Sequence, residues 1–398
     1  MKKSFFFTLG LMGLGVLLTA SYKPILRSSM AASALPTVKY PVFEQMDTST
    51  PELAETIKNL DSLFRHKVKT EGFNGCVLIA RQGTELYKKS FGYADYYAKD
   101  TLTPNSSFQL ASVSKIFTAA AVLRLKEQGK LNLDDLVTKH LPEFPYPTVT
   151  VRMLLNHRSG LPNYLHFNGK YWKDRNALMT NYHVLDMMIK HNIGLTFTPG
   201  TRFTYCNTNY VILAYLVERV CGYPFRDFMM SNFFVPLGMY NSWVFDFSAN
   251  HPTKTYGYSK GWNIDEFKPE DGVVGDKGMY ASVEDLYKWD QALYTGAILS
   301  PSSLAETWTP YSFEHPGKKN YGLGWRLIQQ PDNNYMPYHQ GWWHSYNTAY
   351  YRIPQDKATI IVLSNRYNRG VYNVQPIWNI IYWGSGIAGY LKAVEPDE

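Results

Sequence analysis

The sequence predicts an α/β (α+β) fold: one antiparallel β-sheet built from both ends of the chain, flanked by helices, with a mainly helical lobe inserted between its halves. Three observations carry this expectation. Short runs rich in β-branched and aromatic residues lie early, at 75–80 and 86–92, and again late, at 347–353 and 358–363. Residues from about 130 to 300 read mostly as helices and loops. Residues 113–125 are apolar on almost every side, the mark of a helix buried all round.

Taken in order, the first helical pattern spans 51–67, with Leu53, Ile57, Leu60 and Phe64 at three- and four-residue spacing. The runs at 75–80 and 86–92, joined through Gln82-Gly83, read as a β-hairpin. The buried helix follows, with Gly129 where a C-terminal capping glycine belongs. A short helix starts at Thr150, and another spans about 209–220 before Gly222. Ser282 with Asp285 three residues on resembles a capping box opening a helix to Leu293. Residues 321–328 alternate as one strand. Residues 347–353 and 358–363 form a hairpin across Pro354 and Lys357, and 371–383 turns helical after Pro376.

The chain has 398 residues, one large or two modest domains. Charged residues make up only 18%, and hydrophobic ones 45%, which suits a globular protein with a sizeable core. Lys2 and Lys3 precede 19 uncharged residues, so 1–22 reads as a signal sequence, or as an uncleaved anchor of about 28 Å if helical, with the bulk of the chain outside the cytoplasm, periplasmic or extracytoplasmic. Residues 23–50 read as a linker, and 51–398 as the domain, with the helical lobe at about 130–300. The net charge of +7 falls to +3 (36 basic, 33 acidic) without residues 1–34, and no basic run tracks nucleic acid. Cys76, Cys206 and Cys221 match no zinc pattern. A helix between Cys206 and Cys221 would hold them about 20 Å apart, too far for a disulfide.

Chemistry concentrates in three places. Ser112 stands at the start of the buried helix with Lys115 one turn on, on the same face. A serine needs a nearby base to become a nucleophile, and burial disfavours the charged form of an amine. The N–H of Ser112, at a helix start, is placed to bind an oxyanion. By itself Ser-x-x-Lys is common, usually a cap plus a solvated lysine; the buried helix is what sets this one apart. Tyr205-Cys206-Asn207 precedes the helix at 209, offering a phenol as general base and an amide for a substrate carbonyl, or else a packed tyrosine and a capping asparagine. His339-Gln340-Gly341 lies among the late strands, followed by Trp342; its glycine permits close approach to the backbone, while taken alone the histidine reads better as a structural or surface one.

Together, in this order and spacing, these motifs resemble the serine β-lactamase and penicillin-binding-protein superfamily, in its class C-like branch. Three further stretches resemble it too: LLNHRSGLP at 154–162, GDKGMYAS at 275–282 and YGLGW at 321–325. The resemblance spans about residues 50–390. It implies an antiparallel sheet with a helical lobe and no metal or cofactor. It implies Ser112 as the acylated nucleophile, Lys115 as its proton partner, and Tyr205 as general base and leaving-group acid. Asn207 would contact the substrate amide, and the N–H groups of Ser112 and Trp342 would form the oxyanion hole. His339 stands where β-lactamases have lysine, which leans toward D-alanyl peptidases and esterases, with His339 and an aromatic wall of Trp342, Trp343 and Tyr346 facing the substrate. The expected function is an exported serine hydrolase acting on D-alanyl peptides of the cell wall or on small esters and amides. The rival readings are a β-lactamase proper and a wall sensor that binds penicillin without turnover.

Overall fold

The computed structural model describes residues 40–382, apart from 42, 44, 45, 48, 248–250, 252, 253, 267, 316 and 331. The N-terminal segment 1–22, most of the expected linker, and Trp383 lie outside the described residues. Among the described residues no helix is long and apolar enough to cross a membrane.

Both chain ends build one sheet. Strands β1 (Gly75–Arg81) and β2 (Thr84–Phe91) come early. Strands β8 (Lys319–Tyr321), β9 (Arg326–Gln329), β10 (Tyr335–Trp343), β11 (Tyr346–Ile353) and β12 (Ala358–Ser364) come late. The order is β2-β1-β12-β11-β10-β9-β8, with neighbours antiparallel throughout. Its central strands are buried on both faces, and the two-residue alternation sorts each strand between two cores. Val77 and Ile79 join the cluster under α1 (Pro51–Glu71) and α11 (Gln375–Ile381), with Leu60, Phe64 and Trp378. Cys76, Leu78 and Ala80 face the larger cluster that contains α2 (Ser114–Glu127).

The inserted lobe carries α3 (Val137–His140), α4 (Val151–Leu155), α5 (Tyr164–Tyr171), α6 (Asn181–Lys190), α7 (Asn207–Cys221) and α8 (Phe225–Met229). Helices α9 (Val283–Ala292) and α10 (Pro301–Thr307) lead back to the sheet. Two small sheets complete the fold. One pairs β3 (Tyr93–Asp95) with β4 (Asp100–Thr101). The other orders β5 (Phe108–Gln109), β7 (Met279–Ala281) and β6 (Trp243–Val244), and ties the stretch before Ser112 to the far end of the lobe. α2 ends as its sequence foretells. Gly129 is left-handed at φ 68°, and bonds from Lys130 to Leu125 and from Gly129 to Lys126 close a Schellman motif.

Several expectations need correction. The alternating run at 321–328 is two strands, because Gly324 turns left-handed at φ 82° and packs on α2. A Cβ there would lie 2.5 Å from that of Ala119 and 3.1 Å from the Lys115 carbonyl. Only half of the capping box forms: Ser282 accepts from the Asp285 N–H, while the Asp285 carboxylate takes the Asn241 N–H, the Ser242 hydroxyl and Lys288. Within the expected linker, the Tyr40 hydroxyl donates to the Leu237 carbonyl, the Met46 N–H to Thr84 at 2.7 Å, and the Phe43 ring meets Tyr294 edge-on. The cysteine expectation, by contrast, holds: all three are free, so Cys206 and Cys221 are unbridged.

One buried ion pair locks the sheet to α9. Arg352 and Asp290 have no exposed side-chain surface. The Asp290 carboxylate takes Arg352 Nε and the Tyr350 hydroxyl, and the guanidinium lies over Tyr294 and Trp308. Asp290→Ala, which strands the guanidinium, should cost about 3–5 kcal/mol in urea unfolding. The double variant Asp290→Leu with Arg352→Met should recover most of that loss, because two apolar groups of similar volume leave no unpaired charge.

Candidate active site

Ser112 sits in a 3₁₀ turn (Ala111–Val113) that opens directly into α2. The turn is pinned on two sides. The Leu110 N–H bonds the Met279 carbonyl of β7 at 2.7 Å, and Thr348 of β11 donates to the Leu110 carbonyl at 2.8 Å. Ala111 holds φ 49°, a left-handed conformation that costs a residue with a side chain about 1–3 kcal/mol, so the surrounding bonds impose it. Gly341 is required here for space. A Cβ on it would come within 2.9 Å of the Ser112 nitrogen and closer still to the Leu110 carbonyl and Thr348 Oγ1. Only a bare backbone lets β10 approach the Ser112 N–H this closely.

Lys115 is fully buried. Its Nζ lies 3.0 Å from Ser112 Oγ and 2.7 Å from the Asp276 carbonyl, and it faces the Tyr205 ring at 5.0 Å. Ser114 points elsewhere: its hydroxyl accepts from the Met279 N–H at 3.2 Å, deep in the core. Tyr205 lies on the extended stretch entering α7. Its hydroxyl is buried and makes no hydrogen bond among the described residues, to Ser112 and Lys115 included. Such an orphaned group demands an explanation, and a substrate or a reacting proton supplies one. Asn207 is the first residue of α7, half-buried, and its amide has no partner among the described residues.

His339 departs from expectation. It lies mid-strand in β10 with no exposed surface. Nδ1 faces the Gln340 carbonyl at 2.8 Å and so carries the proton, leaving Nε2 to accept from the Tyr321 hydroxyl at 3.3 Å. Burial, then the charges of Arg326 and Lys115, push its pKa well below the ordinary value. A neutral imidazole with its one N–H spent on Gln340 has none left for a substrate carboxylate. The expected aromatic wall is also narrower. Successive strand residues face opposite sides: Trp342 is 64% exposed, whereas Trp343 bonds Asp271 and Tyr346 is buried against Thr255.

The cation that does face the site is Arg326 on β9, whose guanidinium carbon lies 5.0 Å from the Tyr205 ring centroid. Arg326 and Tyr205 line a cavity of about 410 Å³ together with Arg202, Lys319 and Tyr321. Its one acidic lining residue, Glu314, is ion-paired to Arg158. A larger cleft of about 670 Å³ lies between α1, β2 and α11, away from Ser112. Sequence reasoning gave no role to Arg326, Tyr321, His157 or the Asp276 carbonyl. All four lie within or beside the stretches at 154–162, 275–282 and 321–325, which were the signal.

The fold and a serine–lysine pair at the head of a buried helix define a class, the serine hydrolases. Residues 60–380 match the family model described as Beta-lactamase. The chain therefore belongs to the beta-lactamase family, as a serine hydrolase of the penicillin-binding-protein kind. It is 35% identical over 325 residues to penicillin-binding protein 4* of Bacillus subtilis, covering 78% of this chain and 72% of that protein. Among solved structures it is similar to a D-amino acid amidase from Ochrobactrum anthropi (26% identity, TM-score 0.69, 83% of this chain and 98% of that one). It is also similar to an octameric penicillin-binding protein homologue from Pyrococcus abyssi (27%, TM-score 0.70, 83% and 77%).

His157, like His339, is fully buried with its pKa well below the ordinary value, by burial first and then by Lys115, His339 and Arg326. In the unfolded chain each imidazole titrates near 6.5. Below that pH the unfolded state binds protons that the native state refuses, so stability falls as pH falls, by up to about 1.4 kcal/mol per unit per histidine. Calorimetry between pH 7.5 and 5.5 should show unfolding taking up more than one proton at the acid end, and a stability independent of pH over that range would contradict two neutral buried imidazoles.

Proposed function

We propose that the chain hydrolyses D-alanyl peptides or small esters and amides through an acyl-enzyme on Ser112. The observation that carries this is the buried Lys115 amine on Ser112 Oγ with the orphaned Tyr205 hydroxyl beside it. Ser112 Oγ attacks the substrate carbonyl and its proton passes to the Lys115–Tyr205 pair. The developing oxyanion is held by the N–H groups of Ser112 and Trp342. Collapse breaks the carbonyl bond to the leaving group, which takes its proton from Tyr205. Water, deprotonated by the same group, attacks the acyl carbonyl; the bond to Ser112 Oγ then breaks, Oγ takes that proton back from the Lys115–Tyr205 pair, and the acid leaves. Asn207 orients the substrate amide. The names of the relatives, a penicillin-binding protein and a D-amino acid amidase, support a D-configured amide or ester.

The substrate's carboxylate end fits the basic cavity rather than His339. The Arg326 guanidinium carbon lies 5.0 Å from the Tyr205 ring centroid, and Arg202 and Lys319 line the same cavity. Lys2, Lys3 and the uncharged run after them support action outside the cytoplasm, secreted or anchored. Mass mapping of the N-terminus distinguishes a cleaved form starting near residue 21 from an anchored one starting at Met1.

The decisive experiment follows intact mass over time with short esters, D-alanyl peptides and a penicillin. Transient adducts on Ser112 with the first two and slow turnover of the third are expected. Ser112→Ala should form none, and Tyr205→Phe should slow acylation by roughly two to four orders of magnitude. Labelling of Ser112→Ala at the wild-type rate would refute the nucleophile. A permanent adduct with every donor would make the protein a receptor.

Arg326→Gln should raise KM for donors bearing a free carboxylate by about 10–100-fold, as expected for a lost charge-assisted hydrogen bond, and leave uncharged esters nearly unchanged. Equal losses for both donors would remove the carboxylate role from Arg326.

A further inference from the structure

The grip on Tyr205 comes from a residue that has no place in the chemistry proposed above. Tyr205 stands on irregular backbone between Thr204 and Cys206, and both of its neighbours are bonded to His157. The Thr204 N–H donates to the His157 carbonyl at 3.0 Å. The Cys206 N–H donates to His157 Nδ1 at 3.1 Å. The imidazole lies against the Tyr205 ring, centroids 4.4 Å apart, and also meets Tyr321 at 4.7 Å, Tyr210 at 5.2 Å and Phe203 at 5.9 Å.

The protonation pattern of this imidazole is over-determined. The Leu161 N–H donates to Ser159 Oγ at 3.1 Å, and Ser159 donates to Asn209 Oδ1 at 2.6 Å. That fixes the Asn209 amide, whose nitrogen then donates to His157 Nδ1 at 3.1 Å. Nδ1 thus accepts from two N–H groups and carries no proton of its own, so the proton is on Nε2. His157 Nε2 is itself buried without a partner, as is the Tyr205 hydroxyl. The backbone of His157 is left-handed at φ 59°, just past the end of α4, a conformation kept only where the surroundings enforce it.

We infer that His157 is a positioning residue: through its carbonyl and Nδ1 it clamps the backbone on both sides of Tyr205 and so sets where the phenol stands relative to Ser112 and Lys115. This rests on the reading of Tyr205 as the general base. The clamp needs an acceptor at Nδ1 and an aromatic or amide plane against Tyr205, and it moves no proton itself. A phenol displaced by about 1 Å costs roughly 100-fold in the chemical step.

The test is single-turnover acylation of Ser112 by a short ester, read by intact mass, with thermal midpoints as the folding control. His157→Phe should lower the acylation rate constant by about 10–100-fold, with the ester concentration for half-maximal rate within about threefold. His157→Asn, whose Oδ1 can stand in for Nδ1, should recover at least about tenfold of that loss. It also serves as the test variant should His157→Phe not fold. In a Tyr205→Phe background, adding His157→Phe should cost less than about threefold more, because the clamp acts only through the phenol. Additive losses in that cycle, or an Asn variant no better than Phe, overturn the positioning role. Should Tyr205→Phe alone keep the wild-type rate, the assignment of Tyr205 fails instead, and the two failures are told apart in one data set.

Discussion

The architecture depends on one close approach of backbone to backbone, that of β10 to the turn bearing Ser112. Any Cβ on Gly341 would collide with the Leu110 carbonyl, Thr348 Oγ1 and the Ser112 nitrogen, so only a bare backbone fits there. Everything that makes the sheet continuous bears on this contact. β10 is held by β9 on one side and β11 on the other, and Thr348 of β11 also bonds the Leu110 carbonyl. The C-terminal half of the chain therefore shapes the surroundings of a serine contributed by its first third. The helical lobe completes the arrangement through β7, which holds the same turn by the Leu110–Met279 bond.

The second constraint is the burial of an amine. Taking Lys115 out of water is tolerable only with partners; among the described residues its amine bonds the Asp276 carbonyl and Ser112 Oγ and faces the Tyr205 and Tyr210 rings. The Asp276 carbonyl is in turn fixed by what surrounds its own side chain. The Asp276 carboxylate accepts from the Tyr164 hydroxyl at 3.1 Å and sits 3.5 Å from Lys277, itself buried against Trp343. A layer of ionisable groups behind the nucleophile thus holds one main-chain oxygen where the lysine needs it.

Much of this was legible in sequence, for identifiable reasons. Three-residue spacing at the head of an all-apolar helix put Ser112 and Lys115 on one face, and the structure places them 3.0 Å apart. The hairpin at 75–92 and the one across Pro354 were plain because alternation and turn residues agreed. What failed was depth and closure. Alternation survives a tight turn, so two strands meeting at Gly324 read as one. A strand position tells which face a residue takes but not whether that face is covered, so His339 read as a substrate contact although Tyr321 and Gln340 enclose it. The roles of Arg326 and His157 exist only once β9 and the end of α4 fold over Tyr205, and no local pattern records that. Tyr40, Phe43 and Met46 were hidden among prolines and small residues, a composition that describes a linker and equally a strap packed on a surface.

The histidine of the third motif makes sense together with Arg326. A lysine at 339 would add an ammonium to a buried space that already contains Lys115 and faces Arg326, and the same two cations already depress the His339 imidazole. Neutral histidine removes that repulsion and uses its Nε2 as an acceptor for Tyr321. The positive charge then resides one strand over, on β9, where Arg326 lines the cavity beside Tyr205. Moving the cation from β10 to β9 also moves the place where an anionic group docks, from beside Gly341 to beside Tyr205 and Tyr321. The Tyr205 ring is common to the surroundings of Ser112 and Arg326: its centroid lies 5.0 Å from Lys115 Nζ, which bonds Ser112, and 5.0 Å from the Arg326 guanidinium carbon. On the proposed mechanism, in which Tyr205 hands a proton to the leaving group, a substrate with its carboxylate on the leaving-group side would suit that arrangement.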